Sequence, residues 1–95
     1  MKKWHWFVYI IECDDGLYYT GITYDLYIRL EQHKMGKGSK FTRKHGFKTL
    51  KYFEEFTDIS EAREREHKLK DFSRKKKEAL WANYPSSVSE KFAKP

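Results

Sequence analysis

Apolar positions along the chain change period several times, and each change marks an element. Phe7-Val8-Tyr9-Ile10-Ile11 is a short run rich in aromatic and β-branched residues, which predicts a strand. Asp14-Asp15-Gly16 is a turn signal, and Leu17-Tyr18-Tyr19-Thr20-Gly21-Ile22 predicts the returning strand of a hairpin. Loop length sets the register. A two-residue Asp15-Gly16 turn would put Tyr9 and Tyr19 on opposite faces. A three-residue Asp14-Asp15-Gly16 loop with Gly16 in the left-handed region pairs Cys13 with Leu17, Tyr9 with Gly21 and Ile11 with Tyr19, so both tyrosines share a face. The second register is the one expected.

Asp25 is a suitable N-cap for a helix to about Met35, with Leu26, Arg29, Leu30 and His33 on one face and Gly36-Lys37-Gly38 ending it. Residues 37–46 read as a basic loop. Thr49 to Phe56 predicts a third strand in which Leu50, Tyr52 and Phe56 pack. Asp58 and Glu61 have capping-box spacing ahead of a second helix to about Phe72. Ser73 is an N-cap for a third helix to about Asn83, stopped before Pro85. The order β-β-α-β-α-α is an α+β pattern, a small three-stranded antiparallel sheet flanked by helices. Residues 1–85 are expected to form one domain, and 86–95 a polar tail without periodicity.

Composition sharpens this picture. Twenty Lys+Arg against fourteen Asp+Glu gives the 95 residues a net charge of +6, which favours a polyanionic partner but also fits an ordinary basic surface. No apolar run approaches the roughly 18 residues of a membrane span, and the start does not read as a signal peptide. Cys13 is the single cysteine, so an internal disulfide and a Cys-rich zinc site are excluded. A soluble protein of the cytoplasm, with no membrane partner, is the expectation.

Several residues carry candidate chemistry. Glu66 lies on the apolar stripe Ile59, Ala62, Leu69, Phe72 of the second predicted helix, where a carboxylate needs a partner, a metal or a wet cleft. A Glu at the edge of such a stripe can also simply reach water or pair with an Arg. Arg29 and His33 are one turn apart, a phosphate-holding group beside a proton carrier, although a pair at the rim of a core has the same spacing. Tyrosines on strands usually pack, but Tyr9 and Tyr19 on one face with an Arg, a His and a Glu supply the parts of phosphodiester hydrolysis. Between Arg29 and Lys51 there are eight Lys/Arg against one acid, Glu31. Lys37, Lys40, Arg43 and Lys44 fall in that stretch with Phe41, Phe47 and Tyr52 interleaved, suited to a phosphate backbone and an unpaired base. Arg74, Lys75, Lys76 and Lys77 open the third helix, where four basic residues oppose the helix dipole. A solvated face is the competing explanation for that run. His5, His45 and His67 have no zinc spacing, and Gly36-Lys37-Gly38-Ser39 lacks the spacing of a nucleotide phosphate loop.

These residues resemble a known family. Phe7-Val8-Tyr9 followed by Tyr19-Thr20-Gly21 is similar to the paired motif of the GIY-YIG nuclease superfamily. Lys37-Gly38-Ser39-Lys40-Phe41-Thr42-Arg43 resembles a stretch of its small stand-alone bacterial members, and Ala62 to Lys70 its Glu-bearing helix. The match runs from about Trp6 to Pro85. It departs at Phe7-Val8, where the family has Gly-Ile, and at Thr20, where it has Ile. The resemblance implies a metal-dependent endonuclease of DNA, structure-specific for branched, nicked or single-stranded substrates, in a DNA-repair setting. It implies Tyr9 as general base, Tyr19 as the residue orienting phosphate or water, Arg29 as the stabiliser of phosphate charge, and His33 as an assisting group. Glu66 would be the ligand of one divalent ion, Mg²⁺ or Mn²⁺. Gly21 would sit where a side chain would crowd the active-site helix, and Asn83 would match a further polar residue. The domain is expected to lack the added DNA-binding modules that give larger members their targets, and a protein partner supplying substrate specificity is a further expectation. The alternative is a non-catalytic nucleic-acid-binding module that uses the basic loop and third helix.

Overall fold

The computed structural model describes residues 5–82. Its elements are β1 (Trp6–Glu12), β2 (Tyr18–Thr23), α1 (Leu26–Lys34), α2 (Lys40–His45), β3 (Thr49–Phe56), α3 (Ile59–Lys70) and α4 (Arg74–Trp81). Asn83, the stop before Pro85 and the tail at 86–95 lie outside the described residues.

The hairpin forms by the longer of the two loops. Tyr9 pairs with Gly21 and Ile11 with Tyr19. Cys13 N–H donates to the Leu17 carbonyl at 2.7 Å, and Gly16 N–H to the Cys13 carbonyl at 2.9 Å. Gly16 has φ +89°, open to glycine at no steric cost. β3 adds on the other side of β1, giving an all-antiparallel sheet of order β2-β1-β3. The strand carrying Tyr9 is therefore paired along both edges.

A bulge sets the faces of β3. Ile10 pairs with Tyr52 and Ile11 with Leu50, so Lys51 is the extra residue. Strict alternation would put Leu50 and Tyr52 on one face. The bulge instead sends Leu50 to the face of Tyr9, Ile11, Leu26 and Leu30, and Tyr52 to that of Val8, Ile10, Ala62 and Leu69. The sheet is thus covered on both sides: α1 lies over the tyrosine face, and α3 with α4 over the other.

Each helix begins at a side-chain cap. Asp25 accepts from Ile28 N–H, Ser39 from Thr42 N–H, Asp58 from Ser60 N–H and Ser73 from Lys76 N–H. Such caps contribute about 1 kcal/mol each. The α+β class, the antiparallel sheet and the order β-β-α-β-α-α are as expected, with one addition. The stretch expected as a basic loop contains α2, six residues long. Its inward face is Phe41, Thr42 and the half-buried His45, too short and too polar for an apolar helical period to register.

Candidate active site

Tyr9 is only 1% exposed, and so is His33, which α1 directs onto the same sheet face. The Tyr9 Oη lies 2.7 Å from His33 Nε2. On the far side of the ring, His33 Nδ1 lies 2.7 Å from Thr42 Oγ1. Thr42 Oγ1 in turn meets Ser39 Oγ at 2.8 Å, and Ser39 Oγ accepts from Thr42 N–H at 3.0 Å. A buried chain Tyr9–His33–Thr42–Ser39 results. It can run with the phenol donating to Nε2 and Nδ1–H donating to Thr42, or in the reverse sense. In the first sense the buried phenol has its acceptor and both ring nitrogens a partner; in the reverse sense the phenol O–H has no acceptor among the described residues, so the first is the satisfied arrangement.

Burial dominates the electrostatics. It raises the Tyr9 phenol well above its ordinary value, with smaller contributions upward from Tyr19 and Glu66 and downward from Arg29. His33 is pushed down to about 4, first by burial and then by the positive charge of Arg29. The imidazole is therefore neutral at physiological pH, with one nitrogen able to accept a proton. Phenol and imidazole share one hydrogen bond, so a proton leaving the first has an acceptor in place.

Two glycines make room for this pair. A Cβ on Gly21 would lie 2.5 Å from Tyr9 Oη and 3.0 Å from Tyr19 Cε2. The nearest atoms such a side chain would meet are those of the two tyrosines. A Cβ on Gly38 would collide with the His33 ring, 2.7 Å from Cγ and from Cε1. The backbone at Gly38 thus lies against the imidazole.

Tyr19 is half-buried. Its ring centroid is 6.3 Å from that of Tyr9, 5.3 Å from His33 and 5.7 Å from Phe41, on which it stacks. Phe41 contacts His45 at 4.4 Å, and His45 Nδ1 pairs with Asp15 at 2.5 Å, which ties α2 to the hairpin turn. Arg29 donates from Nη1 to the Gly38 carbonyl at 3.3 Å, leaving most of its five donors uncommitted among the described residues.

Glu66 comes from α3, which packs on the opposite face. Ala62 and Leu69 on the same stripe are fully buried, and the Glu66 side chain is 18% exposed and pairs with Lys70 at 3.2 Å. It has no hydrogen bond to the other four residues among the described ones, and it reaches them through the charge felt at Tyr9. Tyr9, Tyr19 and His33 are therefore in contact, while Arg29 and Glu66 act on them electrostatically. Among the described residues no group of three or more His, Cys, Asp or Glu could enclose a metal ion. A lone carboxylate nonetheless suits Mg²⁺, which commonly takes one or two carboxylates and fills its remaining positions with water and phosphate oxygens.

The basic residues divide by face. Lys37, Lys40 and Arg43 line an open cavity of about 380 Å³ with Gly36 and Ser39, and Lys44 is exposed on α2. The α4 run lies over the other face. Arg74 donates to the Gly16 carbonyl at 2.7 Å, pairs with Glu78 at 3.3 Å and covers the Tyr18 ring at 4.2 Å. Lys76 sits 4.2 Å over the Phe72 ring, Lys77 is half-buried with its pKa lowered by burial, and Lys75 is exposed. Arg74 and Lys76 thus have packing partners within the fold. Gly38, Ser39 and Thr42 are site residues beyond the expected set. All three fall in the family-like stretch around Lys40, and Ser39 as the cap of an unexpected helix was the available signal.

The chain is similar to several known proteins. Residues 5–79 match the GIY-YIG catalytic domain family. A UPF0213 protein of Halobacterium salinarum is 49% identical over 74 residues, covering 78% of this chain and 96% of its own. A UPF0213 protein of Yersinia enterocolitica is 41% identical over 83 residues, covering 87% and 86%. The solution NMR structure of the UPF0213 protein BH0048 from Bacillus halodurans superposes with a TM-score of 0.55 at 39% identity, covering 90% of this chain and 97% of that one.

Proposed function

Since this chain belongs to the GIY-YIG catalytic-domain family, a nuclease superfamily, we propose that it is an endonuclease of DNA that uses one divalent ion, Mg²⁺ or Mn²⁺. Branched, nicked or single-stranded DNA is its substrate class, and a protein partner supplies target choice. The observation that carries the reading is the 2.7 Å contact between the Tyr9 phenol and the neutral His33 imidazole.

The residues divide the chemistry as follows. A water beside Tyr9 gives a proton to the phenol oxygen while the phenol passes its own to His33 Nε2. The water oxygen attacks phosphorus, the bond to the leaving oxygen breaks, and that oxygen takes a proton from solvent. The imidazolium so formed keeps its Nδ1–H on Thr42. Burial of Tyr9 makes a free phenolate costly, so the transfers must be concerted or closely coupled. Arg29 presents its uncommitted N–H donors to a non-bridging oxygen. Tyr19 orients the phosphate or the water. Glu66 would hold the divalent ion, which when bound neutralises charge developing on the leaving oxygen.

The test is cleavage of labelled duplex, single-stranded, flap and four-way-junction DNA with Mg²⁺, Mn²⁺ or chelator, with Glu66→Ala beside wild type. Metal-dependent cutting that disappears in the variant is the expected result. Salt-sensitive binding without cutting by folded wild type would replace this reading with a binding module.

A further inference from the structure

We propose that the cavity between the end of α1 and α2 is a second phosphate subsite, which grips a backbone phosphate flanking the scissile one. The inference rests on the nuclease reading for its substrate, a DNA strand, but on separate residues. Lys37, Lys40 and Arg43 all line this one cavity. Six cations elsewhere pair with a carboxylate: Lys34 with Glu31, Lys48 and Lys51 with Glu12, Arg65 with Glu54, Lys70 with Glu66 and Arg74 with Glu78. Others, such as Lys44 and Lys75, are exposed and do not line this cavity. Among the described residues the three cavity cations have no carboxylate partner. Like charges around a shared volume repel, and an anion between them converts that repulsion into attraction.

The wall suits a nucleic-acid backbone. Gly36 contributes no side chain to the wall, and its φ of +76° is a backbone conformation that favours glycine. Ser39 supplies a hydroxyl. The volume of about 380 Å³ falls within the roughly 300–1,000 Å³ of small-ligand clefts, enough for a sugar-phosphate unit. The cavity also adjoins the reacting groups: Ser39 is bonded to Thr42, which is bonded to His33, and Gly38 carries the carbonyl that Arg29 contacts. A strand with one phosphate at Arg29 can place a neighbouring one here. Cleavage would then require a charged linkage next to the one that is cut.

Two measurements test this on the full chain. In the first, inorganic phosphate is titrated while backbone amides are followed by NMR. The amides of Gly36, Lys37, Ser39 and Lys40 should respond together, and Arg43→Ala should weaken the response about 10-fold. Equal responses at Lys44 and Lys75 would mean a diffuse basic surface and overturn the proposal. In the second, a cleavable oligonucleotide carries one neutral methylphosphonate at successive positions. Neutralising one flanking linkage should raise KM about 10-fold for wild type and have little further effect in Lys40→Ala/Arg43→Ala. A KM insensitive to every flanking position, or a variant that still responds in full, would refute the subsite. A protein that cuts nothing yet shows the localised phosphate response keeps the subsite and loses the nuclease reading. One that cuts without that response keeps the reading and loses the subsite.

Discussion

Acid should destabilise this protein through His33 before it protonates most of its carboxylates. The ring is 1% exposed, and burial together with Arg29 holds its pKa at about 4, against about 6.5 for an unfolded chain. Between those values the unfolded state binds a proton that the folded state refuses. Stability from this group is therefore complete above about pH 6.5 and is lost as pH falls toward 4. Integrating from about pH 7.5 to about pH 5 gives a loss of about 2 kcal/mol from this one residue. At about 1–3 kcal/mol per molar urea, that moves the unfolding midpoint down by about 1 M. Urea titrations read by the fluorescence of Trp6 and Trp81 would measure it, with His33→Gln as the reference that cannot titrate. Wild type should lose about 2 kcal/mol more than the variant over that interval. Ring NMR shifts of His33 against pH give the same answer without the variant. A ring titrating near 6.5, or parallel pH slopes for the two proteins, would refute the argument. The same value implies that the acid limb of kcat/KM for the free enzyme lies well below 6.5.

Three further outcomes follow from particular contacts. Gly21→Ala should displace Tyr9 and Gly38→Ala should displace His33, each costing about 1–3 kcal/mol in thermal or urea unfolding and reducing cleavage more than the stability loss explains. Thr42→Val leaves His33 Nδ1 unpaired and should cost about 1–3 kcal/mol, whereas Thr42→Ser keeps the hydroxyl and should recover most of it; equal losses would argue against the hydrogen-bonded chain. Thr20 Oγ1 is buried with no hydrogen-bond partner among the described residues, so Thr20→Val should stabilise the fold by about 1 kcal/mol by urea unfolding, and a destabilised variant would show that the hydroxyl has one.

Much of this arrangement was legible in the residues. Gly16 behind two aspartates specified the hairpin register, and with it the shared face of Tyr9 and Tyr19. Asp25, Asp58 and Ser73 marked three helix starts at single-residue resolution, because a cap is a local interaction. What remained hidden depends on contacts distant in sequence. The bulge at Lys51 separates Leu50 from Tyr52, yet period-two patterning fits both residues on one face. The hydrogen-bonded chain joins β1, α1 and α2, and α2 is too short to leave a periodic trace. The glycine at 38 resembles a flexible loop residue until the imidazole beside it is seen. Arg74 looks like part of a free basic run, and its partners Gly16, Tyr18 and Glu78 are set by how α4 lies against the hairpin.

Single-turnover cleavage by wild type and Tyr9→Phe, on the DNA that wild type cuts best, tests the central claim most directly. The substitution removes one oxygen and leaves the ring that packs between β2 and α1. A general base of this kind is worth roughly 10²- to 10⁴-fold, so the account predicts a loss in that range with the fold and DNA affinity retained. Cutting by Tyr9→Phe at the wild-type rate would contradict it.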